Sequence, residues 1–183
     1  MITAGVDEVG RGCLAGPVVS AAVILKEGIN LKLLKDSKKI SFKKREEISN
    51  HIKSCSIYAI GLASVDEILD LNILQASLLS MKRAVEKLPI KPNLTLIDGN
   101  FTPSGLKNCK TIINGDEKVK VISAASIVAK VYRDNLMIKL AEEFSDYAWE
   151  SNFGYGTKAH LEGLKKFGVT SHHRKGFKPV HKI

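Results

Sequence analysis

The fold is decided at residues 5–17, which read GVDEVGRGCLAGP. A short apolar run leads into two adjacent carboxylates, Asp7 and Glu8. A turn with three glycines follows, and residues 18–25 form a second apolar run. This order predicts a strand, a tight loop and a second strand. Because successive side chains on a strand point to opposite faces, the two acids can share one site only if regular strand ends near them.

Gly10 and Gly12 predict that ending, and they suit a loop whose backbone amides approach a ligand. A glycine has no Cβ and lets a bound group come close to the main chain. Arg11 stands between them as a fixed cation. An Asp-Glu pair followed by glycine is also ordinary turn chemistry, so these residues do not define a site by themselves.

The composition is that of a globular protein with an excess of positive charge. The chain has 183 residues, of which 44% are hydrophobic and 26% charged, which predicts a single domain over residues 1–183 and excludes a disordered chain. Lys and Arg number 28 against 19 Asp and Glu, a formal net charge of +9. This excess favours a polyanionic partner; a solvated lysine surface is the alternative.

The basic residues concentrate near the end of the chain, and we expect residues 145–183 to form a helical, basic subregion that contacts a phosphate backbone. The cysteines, Cys13, Cys55 and Cys109, have neither disulfide nor zinc-site spacing. No segment is long and apolar enough to span a bilayer, and the N-terminus lacks the basic start of a signal peptide. We therefore expect a cytoplasmic monomer without a membrane partner.

Further strands and helices follow in an order typical of an α/β fold. Ser41 and Asp66 are expected to cap helices, residues 58–64 to form a third strand, and Thr157 to cap a last helix that Gly168 ends. Residues 121–140 predict a long helix on which Lys130, Arg133 and Asp134 fall outside the apolar stripe and are expected to be solvated or ion-paired. The five histidines are expected at the surface or in loops.

A fourth strand, residues 94–97, is also apolar; it runs directly into Asp98 and Gly99 and repeats the pattern of the chain start. Two such strands side by side would place Asp7 and Asp98 at one sheet edge, where ligands commonly bind in open α/β sheets. A fifth strand over residues 110–113 precedes a loop with Asp116. Acids gathered in a basic protein repel one another unless divalent cations bind them, and paired cations support phosphodiester hydrolysis.

The motifs as a set resemble bacterial ribonuclease HII. They are VDEVGRG at 6–12, DSK at 36–38, IDG at 97–99, GD at 115–116, SAASIVAKV at 123–131, RD at 133–134 and GYGTKAH at 154–160. The chain begins almost at the first motif, which favours this family over ribonuclease HIII, whose members carry an N-terminal extension.

The resemblance implies a ribonuclease H fold, a five-stranded mixed sheet flanked by helices with a helical C-terminal extension. It implies an endonuclease that hydrolyses the RNA strand of RNA/DNA hybrids and cuts 5′ of single ribonucleotides in duplex DNA, a reaction of DNA repair. The family's metal ligands correspond to Asp7, Glu8, Asp98 and Asp116, which would bind two Mg²⁺ or Mn²⁺ ions. Asp134 is the rival for the fourth position; we prefer Asp116 because a loop can turn it toward the sheet edge.

The resemblance also assigns substrate contacts. The backbone of Gly10, Arg11 and Gly12 would read the ribose 2′-hydroxyl. Tyr155 would pack on the neighbouring deoxyribose, in a loop that Gly156 is expected to loosen. The residues assigned to backbone phosphates are Ser37, Lys38, Lys130 and Lys158. A sliding-clamp partner has no distinct signal in the sequence.

Two other functions remain open from the residues alone. One is a ribonuclease H-fold nuclease that acts on DNA junctions without recognising ribose. The other is a nucleic-acid-binding module that has lost activity, which would require a missing acid, and all four acids are present.

Overall fold

The computed structural model describes residues 1–26 and 40–182. Its strands are β1 (Thr3–Val9), β2 (Val18–Leu25), β3 (Ser56–Ala63), β4 (Leu94–Asp98) and β5 (Cys109–Ile112). Its helices are α1 (Phe42–Ser54), α2 (Val65–Leu71), α3 (Ile73–Glu86), α4 (Gly115–Lys118), α5 (Lys120–Glu143), α6 (Trp149–Asn152) and α7 (Lys158–Phe167). Single 3-10 turns lie at Ser145–Tyr147 and Val180–Lys182.

The described strands form one mixed sheet in the order β3-β2-β1-β4-β5. β1 to β3 are joined as antiparallel neighbours, whereas β4 runs parallel to β1 and β5 parallel to β4. The predicted strand, loop and strand at the chain start are confirmed, as is the mixed five-stranded sheet flanked by helices.

The two faces of the sheet are covered by different helices. Alternate residues of β2 point to opposite sides: Ala21 and Val23 pack against α1 and α5, whereas Ala22 and Ile24 pack against α3. We call these sides the α5 face and the α3 face. Gly5 of β1 lies under α5, where a Cβ would collide with the backbone of Val121, so the glycine permits the close approach of the helix.

The N-terminal capping residues predicted for the helices are confirmed, with one exception. Ser41 and Thr157 accept backbone hydrogen bonds as N-caps of α1 and α7, as predicted. The prediction for Asp66 was wrong: Ser64 caps α2 and forms a reciprocal capping box with Glu67. A serine followed three residues later by glutamate is the sequence signal of such a box, which is typically worth about 1 kcal/mol.

The long helix α5 buries two polar residues that were expected to be solvated or ion-paired. Arg133 and Asp134 are both fully buried. Asp134 is ion-paired, because the Lys130 Nζ atom lies 2.7 Å from its Oδ1 atom. Arg133 is neither solvated nor bonded to a carboxylate among the described residues; it donates to the backbone carbonyls of Pro17, Phe153 and Ala15.

The C-terminal helices pack against the chain start and against the end of α5. Their core contains Trp149 and Leu164, both fully buried, together with Leu14 from the glycine-rich turn and Met137 from α5. The segment after α7 also pairs with that turn, through an isolated bridge between Ala15 and His173. The C-terminal residues therefore support the loop that follows β1.

Candidate active site

Asp7 and Asp98 lie next to each other on two parallel strands. Val6 on β1 pairs with Ile97 on β4, so the two aspartates come one residue later on the same pair of strands. Val6 and Ile97 both belong to the core cluster of the α3 face. By alternation, both aspartates project to the α5 face. The predicted adjacency of these acids is confirmed.

The carboxylate of Asp7 is in an unfavourable electrostatic environment. Its side chain is buried and accepts a hydrogen bond of 2.8 Å from the amide of Glu8. The pKa of Asp7 is raised well above its ordinary value, first by burial, then by the charge of Glu8 and, more weakly, by that of Asp98. The negative charge is therefore costly unless a cation compensates for it.

Glu8 is half-buried and only partly compensated. Burial raises the pKa of Glu8, the charge of Asp98 adds to this, and Arg11 opposes it. The Arg11 Nη1 atom lies 3.3 Å from the Glu8 Oε1 atom, which links the acids to the glycine-rich turn. The other oxygen, Oε2, is buried and accepts no hydrogen bond within the described residues.

Asp116 is placed beside Asp98 by the backbone of a short helix. Asp98 Oδ1 accepts a 2.6 Å hydrogen bond from the amide of Gly115 and a 3.4 Å bond from the amide of Asp116, at the start of α4. Its rival, Asp134, is paired with Lys130 on α5. These contacts favour Asp116 over Asp134 as the fourth acid of the site.

The donor set fits a divalent cation. Magnesium and manganese prefer carboxylate oxygens, and a bound cation would satisfy the orphaned oxygen of Glu8 and relieve the repulsion that raises the pKa of Asp7. Across residues 1–26 and 40–182, no three His, Cys, Asp or Glu side chains are already gathered as a metal-binding cluster. The acids therefore share one sheet edge without forming a closed cage.

The loop after β1 is shaped by two glycines with different surroundings. Gly10 has φ +90°, and a Cβ there would collide with the guanidinium of Arg133. Gly12 has no atom within 4 Å of an added Cβ, and both Arg11 and Gly12 are exposed. The loop therefore presents an open backbone surface next to Glu8.

Tyr155 lies in a turn that is bonded directly to this loop. The amide of Leu14 donates to Gly154 O at 2.8 Å, and the Cys13 thiol lies 3.7 Å from Phe153 O. The Tyr155 side chain is 38% exposed. The glycine loop and Tyr155 thus belong to one continuous surface beside the acids.

Two buried arginines support this surface, and the sequence interpretation missed both. Arg133, on α5, donates to the carbonyls of Ala15 and Pro17 in the loop after β1. Arg174, assigned from sequence to a phosphate-binding tail, is 1% exposed and donates to the carbonyls of Gly10, Arg11 and Gly16. That assignment was wrong for Arg174, because its donors are used inside the protein.

The histidines were expected at the surface or in loops, which was wrong for His160 on α7; His173 lies in a loop but is buried as well. His160 and His173 are both fully buried. The Trp149 indole donates to His160 Nε2 at 3.1 Å, and the amide of Thr170 donates to His173 Nδ1 at 2.9 Å. No sequence pattern predicts this burial, either for His160 after Tyr155 or for His173 in the basic tail.

The residues assigned to phosphates differ in their surroundings. Lys158 on α7 is exposed, with its Nζ atom 3.8 Å from the exposed Glu162 carboxylate. Lys130 pairs with the buried Asp134, and its Nζ atom lies 4.9 Å from the centre of the Phe153 ring. Ser37 and Lys38 lie outside the described residues. No helix in the described chain has the length and apolar character needed to cross a membrane.

Comparisons with known proteins agree on one family. The family model described as Ribonuclease HII matches residues 4–180. The ribonuclease HII of Pelagibacter ubique is 59% identical over 181 residues, which covers 98% of this chain and 97% of that protein. The crystal structure of ribonuclease H2 from Pyrococcus horikoshii has a TM-score of 0.83 at 28% identity and covers 100% of this chain and 96% of that one.

A further structural relative was solved as the PCNA:RNase HII complex from Archaeoglobus fulgidus. It has a TM-score of 0.75 at 27% identity and covers 97% of this chain and 96% of that chain. The mixed sheet with its helical C-terminal region defines the class as a type 2 ribonuclease H fold.

Within that class, the chain belongs to the ribonuclease HII family. It is therefore an endonuclease of ribonuclease H type, from a metal-dependent family of hydrolases that cleave the RNA of RNA/DNA hybrids.

Proposed function

We propose that this enzyme also cuts 5′ of single ribonucleotides embedded in duplex DNA, by hydrolysis at a site formed by Asp7, Glu8, Asp98 and Asp116. One connected set of contacts carries the proposal. Glu8 pairs with Arg11 in the glycine-rich loop after β1, and Leu14 of the same loop donates to Gly154 O, next to Tyr155. A site that recognises one ribonucleotide must read a ribose and its neighbour while it holds the phosphate between them, and this surface offers groups for all three tasks.

The four acids would hold two Mg²⁺ or Mn²⁺ ions. Such a pair, when bound, supplies activation of the attacking water and charge stabilisation at the leaving oxygen. The protein's own contribution is to keep the carboxylates in place. The amide of Gly115 fixes Asp98 Oδ1, the amide of Glu8 fixes Asp7 Oδ1, and the Ser126 side chain also bonds to the Asp7 carboxylate.

The glycine loop would read the ribose through its backbone amides. An amide donor at a 2′-oxygen distinguishes RNA from DNA, because DNA offers no acceptor at that position. The amides of the exposed residues Arg11 and Gly12 suit this role, since neither donates to an acceptor within the described residues. Gly12 leaves the approach open, because no side chain stands in front of it.

Tyr155 would read the following nucleotide. An aromatic ring packs well on a deoxyribose and is crowded by a 2′-hydroxyl, so it would favour an RNA-to-DNA junction. The Thr157 amide and the His160 imidazole both bond to the carbonyl of Tyr155, at 2.8 and 2.9 Å. These two bonds oppose the loosening expected from Gly156 and would keep the ring aimed at the substrate.

Exposed lysines would contact the phosphate backbone of the duplex. Lys158 and Lys175 are both exposed; Lys158 follows Tyr155 by three residues, and Lys175 follows Arg174 directly. Neutralising phosphates in this way gives affinity without sequence preference and makes binding fall steeply with salt. Lys130 would contribute more weakly, because Asp134 already compensates its charge.

The proposal is tested by cleavage of three matched duplexes that contain one ribonucleotide, four ribonucleotides or none. We expect cleavage of the first two, with a cut 5′ of the single ribonucleotide, only when a divalent cation is present. Equal cleavage of the all-DNA duplex would identify a junction nuclease without ribose recognition. Cleavage of the four-ribonucleotide duplex alone would restrict the enzyme to longer hybrids.

A further inference from the structure

Arg174 reaches the glycine loop from the opposite end of the chain. The backbone of the C-terminal segment is fixed first: the Arg174 amide donates to Leu14 O, and the Gly16 amide donates to His172 O, both at 2.8 Å. The guanidinium then donates to Gly16 O at 2.9 Å, to Arg11 O at 2.8 Å and to Gly10 O at 2.6 Å. Three carbonyls of one turn therefore converge on a single buried cation.

This cation has no carboxylate partner among the described residues, and its guanidinium donates only to backbone carbonyls. Burial lowers the pKa of Arg174 to about 10, so the guanidinium still carries its charge at neutral pH. A buried charge is tolerated only when its donors are satisfied, and here the loop itself satisfies them. The carbonyls of the loop are thus held toward the interior by a strong, charge-assisted interaction.

The planarity of the peptide bond gives this contact a consequence on the outer side of the loop. In a trans peptide unit, the carbonyl of one residue and the amide of the next point in opposite directions. With Gly10 O directed at Arg174, the Arg11 amide is directed outward; with Arg11 O directed at Arg174, so is the Gly12 amide. The bond from Arg174 to Gly16 O turns no amide outward, because the next residue is Pro17, which has no amide hydrogen.

We propose that Arg174 is the positioning residue that turns the consecutive amides of Arg11 and Gly12 toward the substrate, as a donor pair for the 2′-oxygen of the ribonucleotide. The inference rests on the proposed ribose recognition by this loop and adds the residue that sets its direction. Arg174 itself does not contact the substrate, since it is 1% exposed. Its role is distinct from that of Arg133, which donates to the carbonyls of Ala15 and Pro17 at the end of the loop and to that of Phe153, before the Tyr155 turn.

The test compares Arg174→Lys and Arg174→Gln with the wild type on two duplexes that differ at one atom. One carries a single ribonucleotide, and the other carries 2′-fluoro in place of its 2′-hydroxyl, which accepts hydrogen bonds poorly. The measured quantity is the ratio of kcat/KM for the two duplexes. We expect this ratio to fall by about fivefold to tenfold in both variants, the effect of a lost hydrogen bond. Lysine retains the charge but lacks the three directed donors.

The matched control is Lys175→Gln, which removes a neighbouring exposed cation. It should weaken binding of both duplexes equally and leave their ratio unchanged. Loss of folding alone would also lower both rates together without changing the ratio. A wild-type enzyme with no preference for the 2′-hydroxyl would refute the proposed ribose recognition itself. A wild-type preference that both Arg174 variants retain would refute only the role of Arg174.

A second measurement needs no substitution. In metal-free solution, where the substrate stays intact, the backbone amide resonances of Arg11 and Gly12 are followed as each duplex is added to the wild-type protein. We expect both resonances to shift with the ribonucleotide duplex and to shift less with an all-DNA duplex of the same sequence. Equal shifts with the two duplexes, or none, would overturn the inference even if the Arg174 variants fail to fold.

Discussion

The Nε2 atoms of His160 and His173 lie 3.0 Å apart in the interior, and the surrounding donors fix which nitrogen of each ring carries the hydrogen. The Thr170 amide donates to His173 Nδ1, so the hydrogen of a neutral His173 is on Nε2 and donates to His160. His160 then carries its hydrogen on Nδ1 and donates to Tyr155 O. Both rings must be neutral, because an added proton would face another donor.

This pair predicts acid sensitivity of the C-terminal region. Burial, with the charges of His160 and His172, lowers the pKa of His173 to about 4, below the ordinary value of 6.5. The unfolded chain therefore binds the proton first, so stability is full above about pH 6.5 and is lost as the pH falls toward 4. His173 accounts for at most about 3 kcal/mol of this loss.

The check is the free energy of unfolding between pH 7.5 and 4.5 for the wild type and His173→Gln. The glutamine variant should be less stable at neutral pH, but its stability should depend less on pH in this range. His51→Gln, at an exposed position of α1, is the control and should follow the wild type. Parallel curves for all three proteins would contradict the tautomer assignment.

Gly10 and Gly12 form a matched pair for separating folding from substrate binding. Gly10→Ala combines a φ of +90° with a collision against Arg133, so it should lower the free energy of unfolding by about 1–3 kcal/mol. Gly12→Ala meets no protein atom and should fold normally, but its methyl group would stand before the outward amides. We expect it to retain wild-type thermal stability and lose cleavage at single ribonucleotides. Full activity of Gly12→Ala would place the substrate elsewhere.

Removing the charge of Asp7 should stabilise the metal-free protein, because burial and the neighbouring acids oppose that charge. The Asp7→Asn variant keeps an acceptor for the amide of Glu8 and should melt at a higher temperature than the wild type in a chelator. Added Mg²⁺ should stabilise the wild type by about 1.4 kcal/mol at ten times Kd, and should not stabilise Asp7→Asn. Asp70→Asn, an exposed control on α2, should respond to Mg²⁺ like the wild type. A Mg²⁺ response retained by Asp7→Asn would remove Asp7 from the metal site.

Tyr155 is expected to act on junctions more than on long RNA stretches. Its exposed fraction, 38%, is nearly that of Tyr132 on α5, 37%, so the two alanine variants remove similar surface. Tyr155→Ala should reduce cleavage at a single ribonucleotide by about tenfold more than cleavage of a long hybrid, consistent with the loss of one stacking contact. Tyr132→Ala should leave both rates unchanged. A uniform loss in Tyr155→Ala would indicate a structural role.

The sequence predicted the acid edge because its signals are local. Asp7 and Asp98 each end an apolar run beside a glycine, and parallel strands bring such ends together. The buried residues were not predictable in this way. Arg174 bonds to residues 163 and 164 positions earlier in the chain, and no local pattern marks an arginine whose partners are distant carbonyls. Polar side chains are expected at the surface by default, which also misplaced Arg133 and His160.

The capping residue of α2 was predicted wrongly for a different reason, because here the sequence does contain the signal. Ser64 and Glu67 have the spacing of a capping box, and Asp66 was chosen instead within the same four residues. The assignment of Asp116 over Asp134 depended on the expectation that a loop can approach the sheet edge. The loop itself was wrongly predicted, because Asp116 lies in the short helix α4. The backbone contact between Asp116 and Asp98 nevertheless places it beside the sheet edge, while the metal ligands themselves stay a prediction.

The most direct test of the account is the rate of cleavage of a single-ribonucleotide duplex in Mg²⁺ by the wild type and by Asp98→Asn. Asparagine keeps an oxygen to accept the Gly115 amide, so the variant should fold like the wild type while losing a charged metal ligand. We predict a melting temperature in chelator no lower than that of the wild type and a loss of more than about a hundredfold in rate. A correctly folded variant that cleaves within a few-fold of the wild type would contradict hydrolysis at this edge of the sheet.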